Sequence, residues 1–99
     1  FVKVYRKLHN YKEAFKWFRL AADQQNVNAQ YYLGLIYKNG EGVFVDKVYA
    51  YMWFHLAAEN SDEDGIKERN KLIETLSQSQ IKEAERLIRE CVDNNYKGC

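Results

Sequence analysis

The sequence of 99 residues contains no proline, so no position imposes an obligatory break on a long helix. It also lacks an excess of charge of either sign, because 15 basic and 14 acidic residues give a formal net charge of +1. A chain balanced in this way has no electrostatic footprint for nucleic acid or for an anionic membrane surface. Its apolar runs are far shorter than the roughly 20 residues that a membrane-spanning helix needs. We therefore expect neither a nucleic-acid partner nor membrane insertion.

Residues that commonly carry chemistry are scarce as well. The two histidines, His9 and His55, have no second histidine or cysteine beside them, so we expect no metal or catalytic role for either. The Gly40-Glu41-Gly42 segment lacks the preceding strand and the lysine–serine ending of a phosphate loop. Residues 62–65 (DEDG) lack the ligand spacing of a calcium loop, and are typical of an acidic helix start. The sequence predicts a protein that is not an enzyme and has no cofactor or metal.

Hydrophobic residues make up 46% of the sequence and aromatic residues 15%, enough large side chains to fill a core in a short chain. Apolar residues recur at helical spacing in five segments. We predict that side-chain caps begin these helices. The predicted caps are Asn10, Asn28, Asp46, the pair Asn60 and Ser61, and Ser77 with Gln80 in a capping box. Asn39-Gly40 is predicted to end the second helix. Residues 1–9 remain open between an extended lead-in and a helical turn.

An internal repeat relates two of these helices. Residues 14–22 (AFKWFRLAA) recur 36 positions later as residues 50–58 (AYMWFHLAA). A period of about 20–50 residues with helix–turn–helix content is typical of a helical solenoid, in which stacked hairpins bury the faces that one hairpin leaves open. Gly34 in mid-helix costs about 1 kcal/mol relative to alanine, which indicates close packing against a neighbouring helix.

Residue type and spacing over one whole period carry a family resemblance. The matching residues are Ala29, Leu33, Gly34, Tyr37, Gly40, Gly42, Val43, Asp46, Ala50, Trp53, Ala57 and Ala58, with Ala14, Trp17, Ala21 and Ala22 in the partial copy. The chain resembles the Sel-one-like repeat family, relatives of the tetratricopeptide repeats with a longer, glycine-bearing loop.

The resemblance implies an all-α fold, an α-solenoid of about five helices in antiparallel hairpins that forms a tetratricopeptide-like superhelix. It implies a single domain with a partial repeat at 10–24, a complete repeat at 28–60 and C-terminal capping helices at 61–93. The first repeat lacks its leading helix and glycine loop, so we expect Trp17 to have an uncovered side.

The family also implies a function: a non-catalytic protein–protein interaction scaffold or adaptor. The spacing of Cys91 and Cys99 alone leaves a disulfide and two free thiols equally open. A closing cysteine pair is similar to that of exported bacterial members, which favours a disulfide and a periplasmic or secreted location over a cytoplasmic one.

Four tyrosines form the most informative candidate set: Tyr31, Tyr32, Tyr49 and Tyr51. They either pack between repeats or line a peptide-binding groove. If Leu33 and Tyr37 face inward, then Tyr31, Leu35 and Lys38 face the open side, and the repeat offset adds Lys67 and Lys71. Such a patch would suit an acidic or extended peptide as the partner. The alternatives are a terminal segment of a longer array that self-associates through its open N-terminal end, and, as a third class, a small hydrolase.

Overall fold

The computed structural model describes residues 11–99, and every regular element in that range is an α-helix. The five helices are α1 (Tyr11–Asp23), α2 (Val27–Asn39), α3 (Lys47–Glu59), α4 (Glu63–Ile73) and α5 (Gln78–Asp93). Short connections join consecutive helices, so neighbours run antiparallel. The all-α repeat architecture expected from the sequence is confirmed. The predicted cap Asn10, the histidine His9 and the open segment 1–9 lie outside the described residues.

Side-chain caps begin four of the helices, although two predicted caps are wrong. Asp46 caps α3 by accepting the backbone N–H of Tyr49, and Ser77 forms a complete capping box with Gln80 at α5. Helix α2 is capped by Asn26, which accepts the N–H of Ala29, and not by Asn28. Helix α4 is capped by Asp62, which accepts the N–H of Gly65, and not by Asn60 or Ser61. In both cases the polar turn offers several residues able to cap, and the packing of the helix selects one.

A glycine ends α2, as predicted. Gly40 adopts a left-handed conformation with φ 70°, and its N–H donates to the carbonyl oxygen of Ile36. This conformation costs glycine little. The loop then turns back, and the N–H of Asp46 donates to the carbonyl oxygen of Tyr37 at 2.9 Å. The end of α2 and the start of α3 are therefore held side by side.

Helix α3 is the centre of the fold, because it contributes to two separate hydrophobic clusters. Its Trp53 lies in a first cluster with residues of α1, α2 and the C-terminal tail. Its Phe54 lies in a second cluster with Leu72, Leu76 and Ala84, which belong to the capping part of the chain. Successive helix residues point about 100° apart, so neighbouring aromatics can serve different clusters. Helix α3 is buried on most of its circumference for this reason.

The two tryptophans of the repeat differ in their surroundings. Trp53 is 0% exposed, and the guanidinium of Arg19 lies 6.0 Å from the centre of its ring. Trp17 is 51% exposed, and its Nε1 donates to Glu13 within α1. Helix α1 covers Trp53, but no described helix occupies the corresponding position over Trp17. This agrees with the uncovered side that the sequence predicts.

The C-terminal tail folds back onto the first helices. Cys91 and Cys99 form a disulfide with their Cα atoms 5.4 Å apart, and both side chains are buried in the first cluster. Lys97 Nζ donates to the carbonyl oxygen of Asp23 at the end of α1. The tail thereby connects the end of α5 to the end of α1.

Candidate functional site

The candidate site is the groove between α2 and α4, which both pack on α3. Since each runs antiparallel to α3, the two helices run in the same direction. Lys38 near the end of α2 and Glu68 in the middle of α4 form an ion pair of 2.8 Å across the groove. We name this surface the α2–α4 groove.

The five predicted binding residues all lie in this region, but they differ in burial and in their contacts. Tyr31 and Leu35 are half-buried and pack against the second cluster, so they combine a structural role with partial exposure. Lys38 is engaged with Glu68, whereas Lys67 and Lys71 are exposed on α4. Of these residues, Lys38 and Lys71 line one shared cavity.

That cavity is an open pocket of about 320 Å³ at one end of the groove. Its charged lining residues are Lys38, Lys47, Lys71 and Glu68, and Leu72 and Thr75 complete it. Three cations against one carboxylate leave this end basic. We name it the lysine pocket.

Lys47 is the cation of the lysine pocket that was not predicted from the sequence. It is the first residue of α3, whereas the predicted binding residues all come from the leading helix of a hairpin. Lys47 could have been predicted, because the two antiparallel helices of a hairpin place the start of the second helix beside the end of the first helix. Applied to the Gly40 loop, this rule places Lys47 near Lys38.

The other end of the groove, around Tyr31, is acidic. Burial raises the pKa of Tyr31 above its ordinary value of 10.0, and the nearby carboxylates of Asp64, Glu68 and Asp62 raise it further. Each carboxylate disfavours the tyrosinate anion. Lys38 and Lys71 therefore lie at the basic lysine pocket, whereas the carboxylates of Asp62 and Asp64 act on the Tyr31 end of the groove.

The remaining candidate tyrosines lie in the packing between helices. The Tyr32 ring centre is 5.1 Å from that of Phe18, and the Tyr49 ring centre is 5.0 Å from that of Tyr37. Tyr51 is buried in the second cluster and stacks on His55. These tyrosines join α1 to α2 and α2 to α3, and do not form a continuous surface.

Groups able to carry chemistry do not converge in the described part of the chain. Within residues 11–99 no set of three or more histidine, cysteine, aspartate or glutamate side chains could hold a metal ion. His55 lies 2.7 Å from Glu59 one helical turn away, and both cysteines are used in the disulfide. No helix in this range is long and apolar enough to cross a membrane.

Comparison with known proteins identifies the repeat. The model of the Sel1 repeat matches residues 5–26 and 27–62, two adjacent segments. The chitin synthase regulator SKT5 of Saccharomyces cerevisiae is 40% identical over 60 residues, which are 61% of this chain and 8% of that protein. The chain thus corresponds to a small part of this relative. No solved structure matches the chain significantly. Sel1 repeats generally mediate protein–protein interaction and are generally non-catalytic. Because the two matched segments make up more than half of the sequence, the chain belongs to the Sel1 repeat family.

Proposed function

We propose that this chain is a scaffold that binds a segment of another protein in the α2–α4 groove. The observation that carries the proposal is the lysine pocket, a concave surface where the exposed Lys47 and Lys71 lie beside the ion pair of Lys38 with Glu68, above the buried Leu72. Sites that bind extended peptides combine such apolar contact with polar groups at the rim. The half-exposed Tyr31 and Leu35 continue the groove from this pocket.

The yeast relative supports a function that depends on binding another protein. Its name describes a regulator of an enzyme, and a module that acts by binding fits this description. The similarity covers one small part of that relative, so the identity of the partner is not transferred to this chain.

Photo-crosslinking tests the proposed face directly. A benzoyl-phenylalanine in place of Lys71 reports what contacts the groove, and the same group in place of Arg89 serves as the control on the exposed side of α5. We expect partner proteins to be crosslinked at position 71 and not at position 89, and mass spectrometry would identify them. Equal crosslinking at both positions, or none at position 71, would contradict binding in the groove.

Self-association through the N-terminal end is a second candidate function. It is favoured by the exposed Trp17 and Leu20 and by a groove of about 480 Å³ bounded by Trp17, Phe18 and Tyr32. Light scattering at increasing concentration would then show a rising mass that Trp17→Gln with Leu20→Gln abolishes. Phe44→Gln is the control, because Phe44 is an aromatic residue on the Gly40 loop that is more exposed than Trp17 and lies outside this groove. A constant monomer mass would contradict this function.

We also propose a periplasmic or secreted location, which the Cys91–Cys99 disulfide supports because such bonds persist in oxidising compartments. Bacterial origin stays a prediction, and the yeast relative neither supports nor opposes it. Counting free thiols in unfolded protein purified without reductant tests the location. Two free thiols would contradict it.

A further inference from the structure

We propose that the lysine pocket recognises a short acidic cluster next to an aliphatic residue in the partner, and that the Tyr31 end of the groove rejects further acidic residues. This inference rests on the proposed function, since it specifies the chemistry of the segment that the groove binds. It narrows the expectation of an acidic or extended peptide, because it confines the acidic residues to one end of the groove.

The three lysines of the pocket differ in whether they have an ion-pair partner. Lys38 is already paired with Glu68. Lys47 and Lys71 are exposed, and neither belongs to an ion pair among residues 11–99. Two unpaired cations from different helices that line one pocket can be neutralised by two carboxylates of a ligand. The lysine pocket is therefore complementary to a pair of acidic side chains.

The lysine pocket also has uncharged lining residues. Leu72 lies in the last turn of α4, and Thr75 follows the end of that helix. Because Leu72 is only 7% exposed, a leucine-like side chain beside the ligand's carboxylates would lie mainly against the aliphatic stems of the lysines, where burial of apolar surface contributes about 25 cal/mol per Å². Carboxylates without an apolar neighbour would leave this part of the pocket in water.

The charge changes sign along the groove. The Lys38–Glu68 pair aligns α2 with α4, and because the two helices run in the same direction, the start of α4 with its cap Asp62 and the exposed Asp64 lies level with Tyr31. Tyr31 and Lys38 are seven positions apart on α2, which corresponds to about 10 Å of helix. An extended peptide covers this length in about three residues. Acidic residues more than about three positions from the lysine pocket would meet like charge.

Fluorescence anisotropy with labelled nine-residue peptides tests the inference. The first peptide has two glutamates and a leucine at one end followed by serines and glycines. The second carries glutamate at every position except the leucine. The third has lysines in place of the two glutamates. We expect the first to bind about three-fold or more tighter than the second and about ten-fold tighter than the third, with affinity falling as salt rises.

Variants of the protein locate the binding. Lys47→Ala and Lys71→Ala are each expected to weaken binding of the first peptide by about two- to five-fold, the range of an exposed ion pair. The double variant should weaken it by about ten-fold. Lys67→Ala is the matched control, because Lys67 lies one turn from Lys71 on α4 but outside the pocket. Circular dichroism of each variant verifies that the helices remain folded.

The possible results separate this inference from the proposed function. If the lysine peptide binds as tightly as the first peptide, or if the double variant binds the first peptide as well as wild type, the acidic specificity is overturned. Crosslinking at position 71 can still support binding in the groove in that case. Tighter binding of the uniformly acidic peptide overturns the charge reversal. Absence of binding by all three peptides at millimolar concentration overturns the recognition of such a short cluster.

Discussion

Gly34 leaves room for the ring of Phe54 between α2 and α3. A Cβ atom built on Gly34 would lie 2.5 Å from two carbon atoms of that ring. Carbon atoms in contact are normally 3.5–4.0 Å apart. The glycine therefore permits a close approach of the two helices, which outweighs the cost of about 1 kcal/mol that glycine imposes in mid-helix.

We expect Gly34→Ala to destabilise the protein by about 1–3 kcal/mol, because overpacking exceeds the gain in helix propensity. Urea unfolding followed by circular dichroism measures the change. In a double-mutant cycle, Phe54→Leu should reduce the cost of Gly34→Ala, since leucine lacks the ring atoms that clash. Stabilisation by Gly34→Ala, or full additivity in the cycle, would contradict this explanation.

Buried tyrosines predict a stability limit at alkaline pH. Burial raises the pKa of Tyr51, Tyr37 and Tyr31 above 10.0. The unfolded chain thus loses these protons first, so their contribution to stability is complete below pH 10 and declines as pH rises through the folded pKa values. The absorbance of tyrosinate should appear at higher pH in native than in unfolded protein. Tyr51→Phe should remove one late-titrating group, and identical titration curves would contradict the prediction.

At the scale of the helix, two asparagines near the start of α2 could cap it, and only one of them does. Asn26 accepts the N–H of Ala29 at 2.9 Å, whereas Asn28 is exposed in the first turn. Asn26→Ala should cost about 1 kcal/mol of stability through loss of the cap, and Asn28→Ala should be nearly neutral. Chemical denaturation of the two variants makes a matched comparison. A larger effect at position 28 would show that the helix begins where the sequence analysis placed it.

Sequence patterns located the helices well because they depend on neighbours a few positions away. Gly40 and Asp46 mark the end of α2 and the start of α3 through bonds within four residues of each. The turn at residues 23–28 contains several residues able to cap, so local pattern could not choose between Asn26 and Asn28. The same ambiguity produced the wrong cap for α4, where three consecutive residues can accept a backbone N–H.

At the scale of the whole molecule, the disulfide closes a short C-terminal loop that packs against the first helices. Cys91 and Cys99 are buried against residues of α1 and α3, and Lys97 bonds to the end of α1. Cys91→Ala with Cys99→Ala should therefore lower the unfolding free energy by about 2–3 kcal/mol, the size expected for closing a loop of this length.

Guanidinium unfolding with and without reductant tests the contribution of this bond. Reduced wild-type protein should unfold at nearly the same denaturant concentration as the double variant. Lys97→Ala is the control for the tail contact alone, and should cost no more than about 1 kcal/mol. Equal stability of the oxidised and reduced wild-type protein would contradict a stabilising role.

The sequence by itself determined the elements and the repeat. Helical periodicity, the caps at Asp46 and Ser77 and the recurrence of Trp17 at Trp53 follow from short-range chemistry and a fixed period. Only the tertiary structure decided the character of the groove: Glu68 neutralises Lys38, and Lys47 from another helix joins the lysine pocket. The physical reason is that these contacts join residues whose mutual distance depends on how whole helices pack, which local pattern does not encode.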